Sequence, residues 1–143
     1  MLVYAATLTP DEDDGGFVVT FRDIPEAITQ GRAVEDALRN AADALTVALD
    51  GYIEAGWTFP RPSSAHAGEH IVTLPALVAA KLELYRRMCE TGTTRVALAR
   101  MLGVDERAVR RLLAYRHRSH IGQIEAALAK LGKRLEISVR DAA

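Results

Sequence analysis

Residues 95–114 read RVALARMLGVDERAVRRLLA, a pattern typical of two short helices joined by a tight turn. Thr94 precedes the first helix and Asp105 the second, and both are residue types that cap helix N-termini with a side-chain oxygen. Gly103 lies between them, where the chain leaves a helix through a left-handed conformation. The spacing of apolar residues predicts one buried face on each helix. These residues are Val96, Leu98, Ala99 and Leu102 on the first helix and Val109, Leu112 and Leu113 on the second.

The second helix carries three arginines, Arg107, Arg110 and Arg111, away from its apolar face. Residues 95–118 contain seven arginines and no lysine. An arginine can grip phosphate, or the O6 and N7 edge of guanine, with two parallel hydrogen bonds, whereas a lysine offers a point charge. This composition favours a DNA-reading helix over the alternative, a plain helical hairpin whose arginines face solvent.

The register of the same residues matches a helix-turn-helix of the repressor type. Counted from Arg95, Ala99 lies at the small position of the helix crossing, Gly103 at the turn, and Val109 and Leu112 at two core positions. The residues predicted to contact DNA lie at the two helix starts, along the second helix and in the loop that follows it. They are Thr94, Arg95, Asp105, Glu106, Arg107, Arg110, Arg111, Arg116 and Arg118.

Charge divides the chain into two parts. Residues 1–75 hold four basic and twelve acidic residues, net −8, and residues 76–143 hold fourteen and seven, net +7. An acidic half attracts basic proteins, whereas a basic half attracts a polyanion. The Pro- and Ser-containing run 57–68 is typical of a connection, so we predict modules at 1–74 and 75–143. Modules of about 70 residues bury limited apolar surface, which favours a homodimer or tetramer.

Periodicity predicts an α+β fold, with a small antiparallel sheet and a long helix in the acidic module and an all-α basic module. The long helix extends from about Val34 and ends at Gly56. Its predicted apolar stripe consists of Val34, Leu38, Ala41, Leu45, Leu49 and Ile53. The other predicted elements are strands at 2–9, 17–21, 27–30 and 70–74, helices at 76–90 and 120–131, the latter capped by Ser119, and a strand at 134–139.

The predicted strand 134–139 carries Leu135, Ile137 and Val139 on one face. A strand without a partner leaves its backbone groups unpaired. It therefore pairs either with a strand of its own chain or with a second copy of the chain. In the second case it forms the interface, here called the seam, of a dimer.

Other function classes find little support. Cys89 is the one cysteine, so no internal disulfide or thiolate metal cluster is expected, and His66 and His70 lack a metalloprotease pattern. We expect no metal and no cofactor. No apolar run is long enough for a membrane span and no basic leader precedes an apolar stretch, so a cytoplasmic protein is expected. His117 and His120 flank Arg118, where they would meet phosphate or lie exposed in a loop.

The run 11–45, DEDDGGFVVTFRDIPEAITQGRAVEDALRNAADAL, resembles the N-terminal signature of HicB antitoxins. That signature joins an acidic, Gly-Gly hairpin to an aromatic strand, a proline turn and an acidic helix. The C-terminal half resembles the helix-turn-helix variant of the same family. The chain departs from the pattern at Glu26-Ala27, often Gly-Cys in the family, and at Ala33, often Thr. The matching residues are Gly15, Gly16, Phe17, Pro25, Thr29, Gly31, Glu35 and Ala37.

The resemblance implies a first domain with a partial RNase H-like fold that binds and blocks a HicA-like mRNA-cleaving toxin. It implies a second domain that represses the operon by binding operator double-stranded DNA. An RNase H-like fold also invites a nuclease hypothesis, but Asp11 to Asp14 are consecutive in one turn and diverge, whereas two-metal chemistry needs converging carboxylates. We therefore expect binding and not an enzyme; the alternative is a free-standing helix-turn-helix regulator without a toxin. The residues predicted to contact the toxin are Asp11, Glu12, Asp13, Asp14, Phe17, Asp23 and Glu26.

Overall fold

The computed structural model describes residues 2–142 and has a mixed α+β fold. Within those residues it contains one four-stranded sheet and five helices. The strands are β1 (Val3–Pro10), β2 (Phe17–Phe21), β3 (Ile28–Gly31) and β4 (His70–Thr73). The helices are α1 (Val34–Ala55), α2 (Ala76–Thr91), α3 (Arg95–Leu102), α4 (Glu106–Leu113) and α5 (Ile121–Lys130).

The sheet is antiparallel throughout, in the order β3-β2-β1-β4. Strand β1 lies inside it, and Ala6 pairs with Phe21 on one side and with His70 on the other. The predicted hairpin and the returning fourth strand are therefore confirmed. The two edges of the sheet are β3 and β4.

Helix α1 packs on the sheet through an apolar stripe with helical spacing, as predicted. Val34, which the sequence placed on that stripe, is 40% exposed. It is the first residue of the helix, where the sheet no longer covers the side chains. Ala33 provides no side-chain cap, as its departure from the family pattern predicts. The buried stripe consists of Ala37, Ala41, Leu45, Leu49 and Ile53.

Two glycines of the signature allow close backbone contacts. A Cβ atom at Gly31 would lie 2.3 Å from the backbone nitrogen of Ala37, so no larger residue fits between β3 and α1. Gly16 has a φ of +76°, and a Cβ there would lie 2.4 Å from the Gly31 carbonyl oxygen. Glycine is required at both positions for steric reasons.

The two halves of the chain pack against each other. The Tyr85 hydroxyl of α2 donates to the Trp57 carbonyl at 2.9 Å, while within the acidic half the Tyr4 hydroxyl donates to the Pro60 carbonyl at 2.7 Å. The rings of Phe59 and Tyr85 stack, with centroids 6.4 Å apart. Buried residues of the sheet, α1 and the C-terminal helices form one continuous core. The connection 57–68 is thus partly packed between the halves, and the module boundary near 74 stays a prediction.

Three local predictions in the basic half are wrong. Val96 is 52% exposed, because an eight-residue helix turns only Leu98, Ala99 and part of Leu102 inward. Helix α5 begins at Ile121, and Ser119 does not cap it. The Ser119 side chain is buried and forms a hydrogen bond with Lys81.

The third concerns residues 134–139, which form no strand and pair with none of the strands found within residues 2–142. Leu135 packs against the core, whereas Ile137 and Val139 are 76% and 95% exposed. Without a strand partner in the described part of the chain, the apolar alternation alone does not produce a strand. Pairing with a second copy stays a prediction.

Candidate nucleic-acid interface and acidic surface

The starts of α3 and α4 are fixed by side-chain caps. The Thr94 Oγ1 accepts a hydrogen bond from the backbone N–H of Ala97 at 3.0 Å, and the Asp105 Oδ1 accepts one from Ala108 at 2.8 Å. Between the helices Gly103 has a φ of +67°. The predicted caps and turn are confirmed. Because both cap oxygens are occupied, any DNA contact by Thr94 or Asp105 would come in addition to capping.

Helix α4 is amphipathic in the predicted sense. Val109, Leu112 and Leu113 are buried, whereas Arg107, Arg110 and Arg111 are exposed. Arg110 makes an ion pair with Glu106 at 3.1 Å, one turn earlier on the helix. Exposed ion pairs of this type contribute little stability, so Arg110 can exchange Glu106 for an external anion at low cost. The three guanidinium groups thus form a basic face.

The end of α4 is held by a buried lysine from α2. The Lys81 side chain is 1% exposed, and its ammonium donates to the carbonyl oxygens of Arg111 at 3.1 Å, Ala114 at 2.6 Å and His117 at 2.7 Å. It also lies 2.9 Å from the Ser119 hydroxyl. The last carbonyls of a helix lack partners within the helix, and a cation satisfies them well. Lys81 therefore clamps the end of α4 and the loop after it onto α2.

Sequence reasoning missed Lys81, although a signal was present. Lys81 interrupts the apolar stripe of α2 at the position between Val78 and Tyr85. Burial of a lysine needs full hydrogen bonding of its ammonium. A lysine on an inward stripe thus points to nearby carbonyl groups.

Asp50 on α1 places a half-buried carboxylate near Lys81. Burial lowers the pKa of Lys81 to about 8, and the Asp50 carboxylate acts in the opposite direction. Burial also raises the pKa of Asp50, whose Oδ1 has no hydrogen-bond partner among the described residues. A cavity of about 10 Å³, the size of a single water, lies between them and is also lined by Thr46 and Tyr115. Asp50 of the acidic half and Lys81, which supports α4, thus line the same small cavity and influence each other's charge.

The remaining predicted DNA-contacting arginines are placed differently. The Arg95 guanidinium donates to the Ile53 carbonyl at 2.9 Å, so it binds the end of α1 and does not join the basic face of α4. The Arg116 Nε donates to the Tyr115 hydroxyl at 2.7 Å, with the guanidinium 5.4 Å from that ring centre. Arg118 is exposed in the same loop.

The acidic hairpin turn is ordered by its own side chains. The Asp11 Oδ1 accepts hydrogen bonds from the backbone N–H groups of Asp13 at 3.1 Å and Asp14 at 3.2 Å. Glu12, Asp13 and Asp14 are exposed, and Phe17, which follows, is partly buried against the core. This is the solvated turn expected from the sequence, with its carboxylates oriented outward.

Asp23 and Glu26 lie beyond the other end of β2, a strand of roughly 17 Å. The Asp23 Oδ2 accepts a hydrogen bond from the Ser63 N–H at 2.7 Å, and the Ser63 hydroxyl also binds it, so Asp23 anchors the 57–68 connection. Glu26 is exposed and accepts a hydrogen bond from the Tyr52 hydroxyl at 2.9 Å. The structure therefore does not bring the predicted toxin-contacting acids into one cluster.

Histidine and carboxylate side chains form no metal cluster within residues 2–142. The His66 Nδ1 lies 3.7 Å from the Glu69 Oε1, but that carboxylate already accepts from Arg22 at 2.9 Å, which holds the pKa of Glu69 below its usual value. Over the same residues, the helices are too short or too polar to cross a bilayer.

Comparison with known proteins identifies the family. Residues 3–83 match the family described as the HicB_like antitoxin of bacterial toxin-antitoxin systems. The chain is 37% identical to the antitoxin HicB of Escherichia coli (strain K12) over 134 residues, 94% of this chain and 96% of that protein. It is 42% identical to the antitoxin HicB 2 of Photorhabdus laumondii over 127 residues, covering 89% and 90% of the two chains. It is 35% identical to the antitoxin HicB of Pseudomonas fluorescens (strain Pf0-1) over 145 residues, covering 99% and 97%. Each of these alignments covers at least 89% of this chain, and the chain therefore belongs to the HicB-like antitoxin family of bacterial toxin-antitoxin systems.

Proposed function

We propose that this antitoxin binds and neutralises a HicA-like mRNA-cleaving toxin through its acidic half and represses its own operon by binding operator DNA. In this proposal the sheet with α1 is the partial RNase H-like unit, and α3 with α4 is the helix-turn-helix. Its chemistry is binding and not catalysis. The protein acts in the cytoplasm, where its RNA-cleaving partner and its operator are found.

The observation that carries the DNA part is the exposed basic face of α4. Arg107, Arg110 and Arg111 face solvent on a helix whose start is capped by Asp105 and whose end is clamped by Lys81. A reading helix must present its side chains in a fixed orientation to the major groove. Support at both ends, together with guanidinium groups suited to phosphate and guanine, makes α4 the candidate reader.

The proposed toxin binding is supported by the negative charge of the acidic half and by the antitoxin family to which the chain belongs. A protein that cleaves RNA must bind a polyanion, so its working surface is basic. The half of this chain with net −8 offers the complementary field, which speeds encounter and fixes orientation. Asp11, Glu12, Asp13, Asp14, Phe17 and Glu26 are kept as proposed contacts, and Asp23 as support for the adjoining loop.

Co-expression with the basic protein encoded next to this gene tests the proposal. We expect a stable complex, loss of RNA cleavage by that protein, and a gel shift of the DNA upstream of the gene pair. A chain that shifts the DNA but captures no basic partner would be a free-standing regulator. RNA cleavage by this chain alone with Mg²⁺, lost on Asp11→Asn with Asp13→Asn, would contradict a purely binding role.

A homodimer or a dimer of dimers is part of the proposal, because one small reading helix contacts too little DNA for specificity. Two copies would set their α4 helices about 34–36 Å apart on a two-fold operator. Residues 134–139 are the proposed seam. Light scattering of a chain that lacks residues 134–143 checks this, since an unchanged oligomer mass would leave the dimer but remove the seam.

A further inference from the structure

The acidic half has a shallow groove of about 380 Å³ between β3 and α1. Its floor is formed by the small residues Ala44 and Ala48, one turn apart on α1. Its walls are Ile28 from β3 and Val47 from α1, which are 63% and 54% exposed. Two large apolar side chains that flank a recess, with both exposed to water, are typical of an interaction site.

The groove has a preformed shape. The Asn40 Nδ2 donates to the Gln30 carbonyl oxygen at 2.9 Å and ties α1 to β3 at one end of the recess. The absence of a side chain at Gly31 lets the α1 backbone approach β3 closely. A recess whose walls are fixed before binding loses little conformational entropy when a partner docks.

Carboxylates border the apolar walls. Glu26 and Asp43 line the groove, and neither lies within ion-pairing distance of a cation among residues 2–142. By contrast, Asp36, nearer the start of α1, pairs with Arg39 at 3.3 Å. The Tyr52 hydroxyl donates a hydrogen bond to Glu26 at 2.9 Å but brings no positive charge to it. The groove carboxylates are therefore available to an external cation.

We propose that this groove is the principal docking site for the basic toxin, which inserts an apolar side chain between Ile28 and Val47 and sets lysines or arginines against Glu26 and Asp43. This inference rests on the proposed function and gives it a location. The partner is a small basic protein, because the groove combines carboxylates that no cation of residues 2–142 neutralises with apolar walls inside the −8 half of the chain. A nucleic acid would be repelled by the same carboxylates.

In this proposal the groove and the hairpin turn affect different steps of toxin binding. The turn at Asp11 to Asp14 is exposed and lacks large apolar neighbours at its tip, so it acts at long range on association. The groove buries apolar surface and excludes water, which governs dissociation. Affinity is therefore expected to depend on the groove, and association rate on the turn.

The test uses full-length protein with the basic partner encoded next to its gene. Ile28→Ser and Val47→Ser remove the apolar walls without adding charge, and each is expected to weaken the complex about tenfold. Ile71→Ser is the matched control, because Ile71 is 53% exposed on β4, at the opposite edge of the same sheet. Dissociation constants come from calorimetry at fixed salt, and DNA binding of each variant confirms that the fold is intact.

Glu26→Gln together with Asp43→Asn tests the charged border. We expect slower association and weaker binding at low salt, with the difference shrinking as salt rises, since screening acts over about 10 Å at 0.1 M. Wild-type affinity in both Ile28→Ser and Val47→Ser would overturn the groove while leaving the proposed function intact. An equal loss in Ile71→Ser would also overturn it. A wild-type chain that binds no basic protein would overturn both.

Discussion

The acidic and basic halves of this protein carry nearly equal and opposite charge, yet they use that charge in different ways. In the acidic half, several carboxylates are engaged within the molecule, as Asp23 is with Ser63 and Glu69 with Arg22. In the basic half, one cation, Lys81, is buried beneath α4, while three arginines remain on its surface. Net charge therefore indicates the sign of a partner, whereas internal hydrogen bonds decide which charges can reach that partner.

The largest expected effect concerns the exposed cations. Replacing Arg110 or Arg111 with Ala is expected to cost about 1–3 kcal/mol of specific operator binding if its guanidinium reads a base edge. Anisotropy at fixed salt measures this, and folding should barely change because both side chains are solvated. Arg39→Ala, which removes an exposed arginine from α1, is the control. Unchanged affinity in both α4 variants would exclude α4 as the reader.

The buried cation supplies the next effect. Lys81→Met leaves the carbonyl groups of Arg111, Ala114 and His117 without their donor, and the loss is about 1–3 kcal/mol of stability. Operator affinity should fall as α4 and the loop after it lose their fixed orientation. Toxin binding should persist, because the groove lies on a different face of α1 from the cavity beside Lys81.

Urea unfolding and two binding assays on one Lys81→Met preparation separate these outcomes. Lys81→Arg keeps the charge and tests whether the compact ammonium is required. Equal loss of toxin and DNA binding in Lys81→Met would mean general unfolding and would remove the local role assigned to the clamp.

The pH dependence of stability is a smaller effect of the same residue. Because burial lowers the folded pKa of Lys81 to about 8 from 10.5, the unfolded chain binds more protons than the folded chain between those values. The unfolding free energy contributed by this group therefore rises with pH across that window and is constant below it. The unfolding free energies of wild type and Lys81→Met are measured from pH 7 to 10. Their difference removes the contributions of the other titrating groups. A difference that decreases as the pH rises would contradict the lowered pKa of Lys81.

The smallest effect belongs to the exposed carboxylates of the hairpin turn. Replacing Asp11, Asp13 and Asp14 with Asn or Ser, and Glu12 with Gln, should slow association with the basic partner a few-fold at low salt. The dissociation rate should hardly change. Stopped-flow mixing at two salt concentrations measures both rates. A change confined to dissociation would place the turn inside the contact surface and would remove the distinction between turn and groove.

The short-range features of the basic half were predictable from the sequence. The caps at Thr94 and Asp105, the turn at Gly103 and the buried face of α4 each follow from a few neighbouring residues, so local chemistry determines them. The β1–β2 hairpin and the long α1 were predictable for the same reason. Failures occurred where a distant residue decides the outcome, as with Ser119, which binds Lys81 and does not cap α5.

By itself, the sequence determined the α+β class, the order of the elements from β1 to α5, the division of charge and the family. It did so because period, turn chemistry and composition are properties of adjacent residues. Only the tertiary structure decided that Arg95 binds the end of α1, that Lys81 supports α4, and that Ile28 and Val47 form a groove bordered by carboxylates. These contacts join residues from 19 to 42 positions apart, and their partners are backbone carbonyls or neighbouring faces that no local pattern identifies.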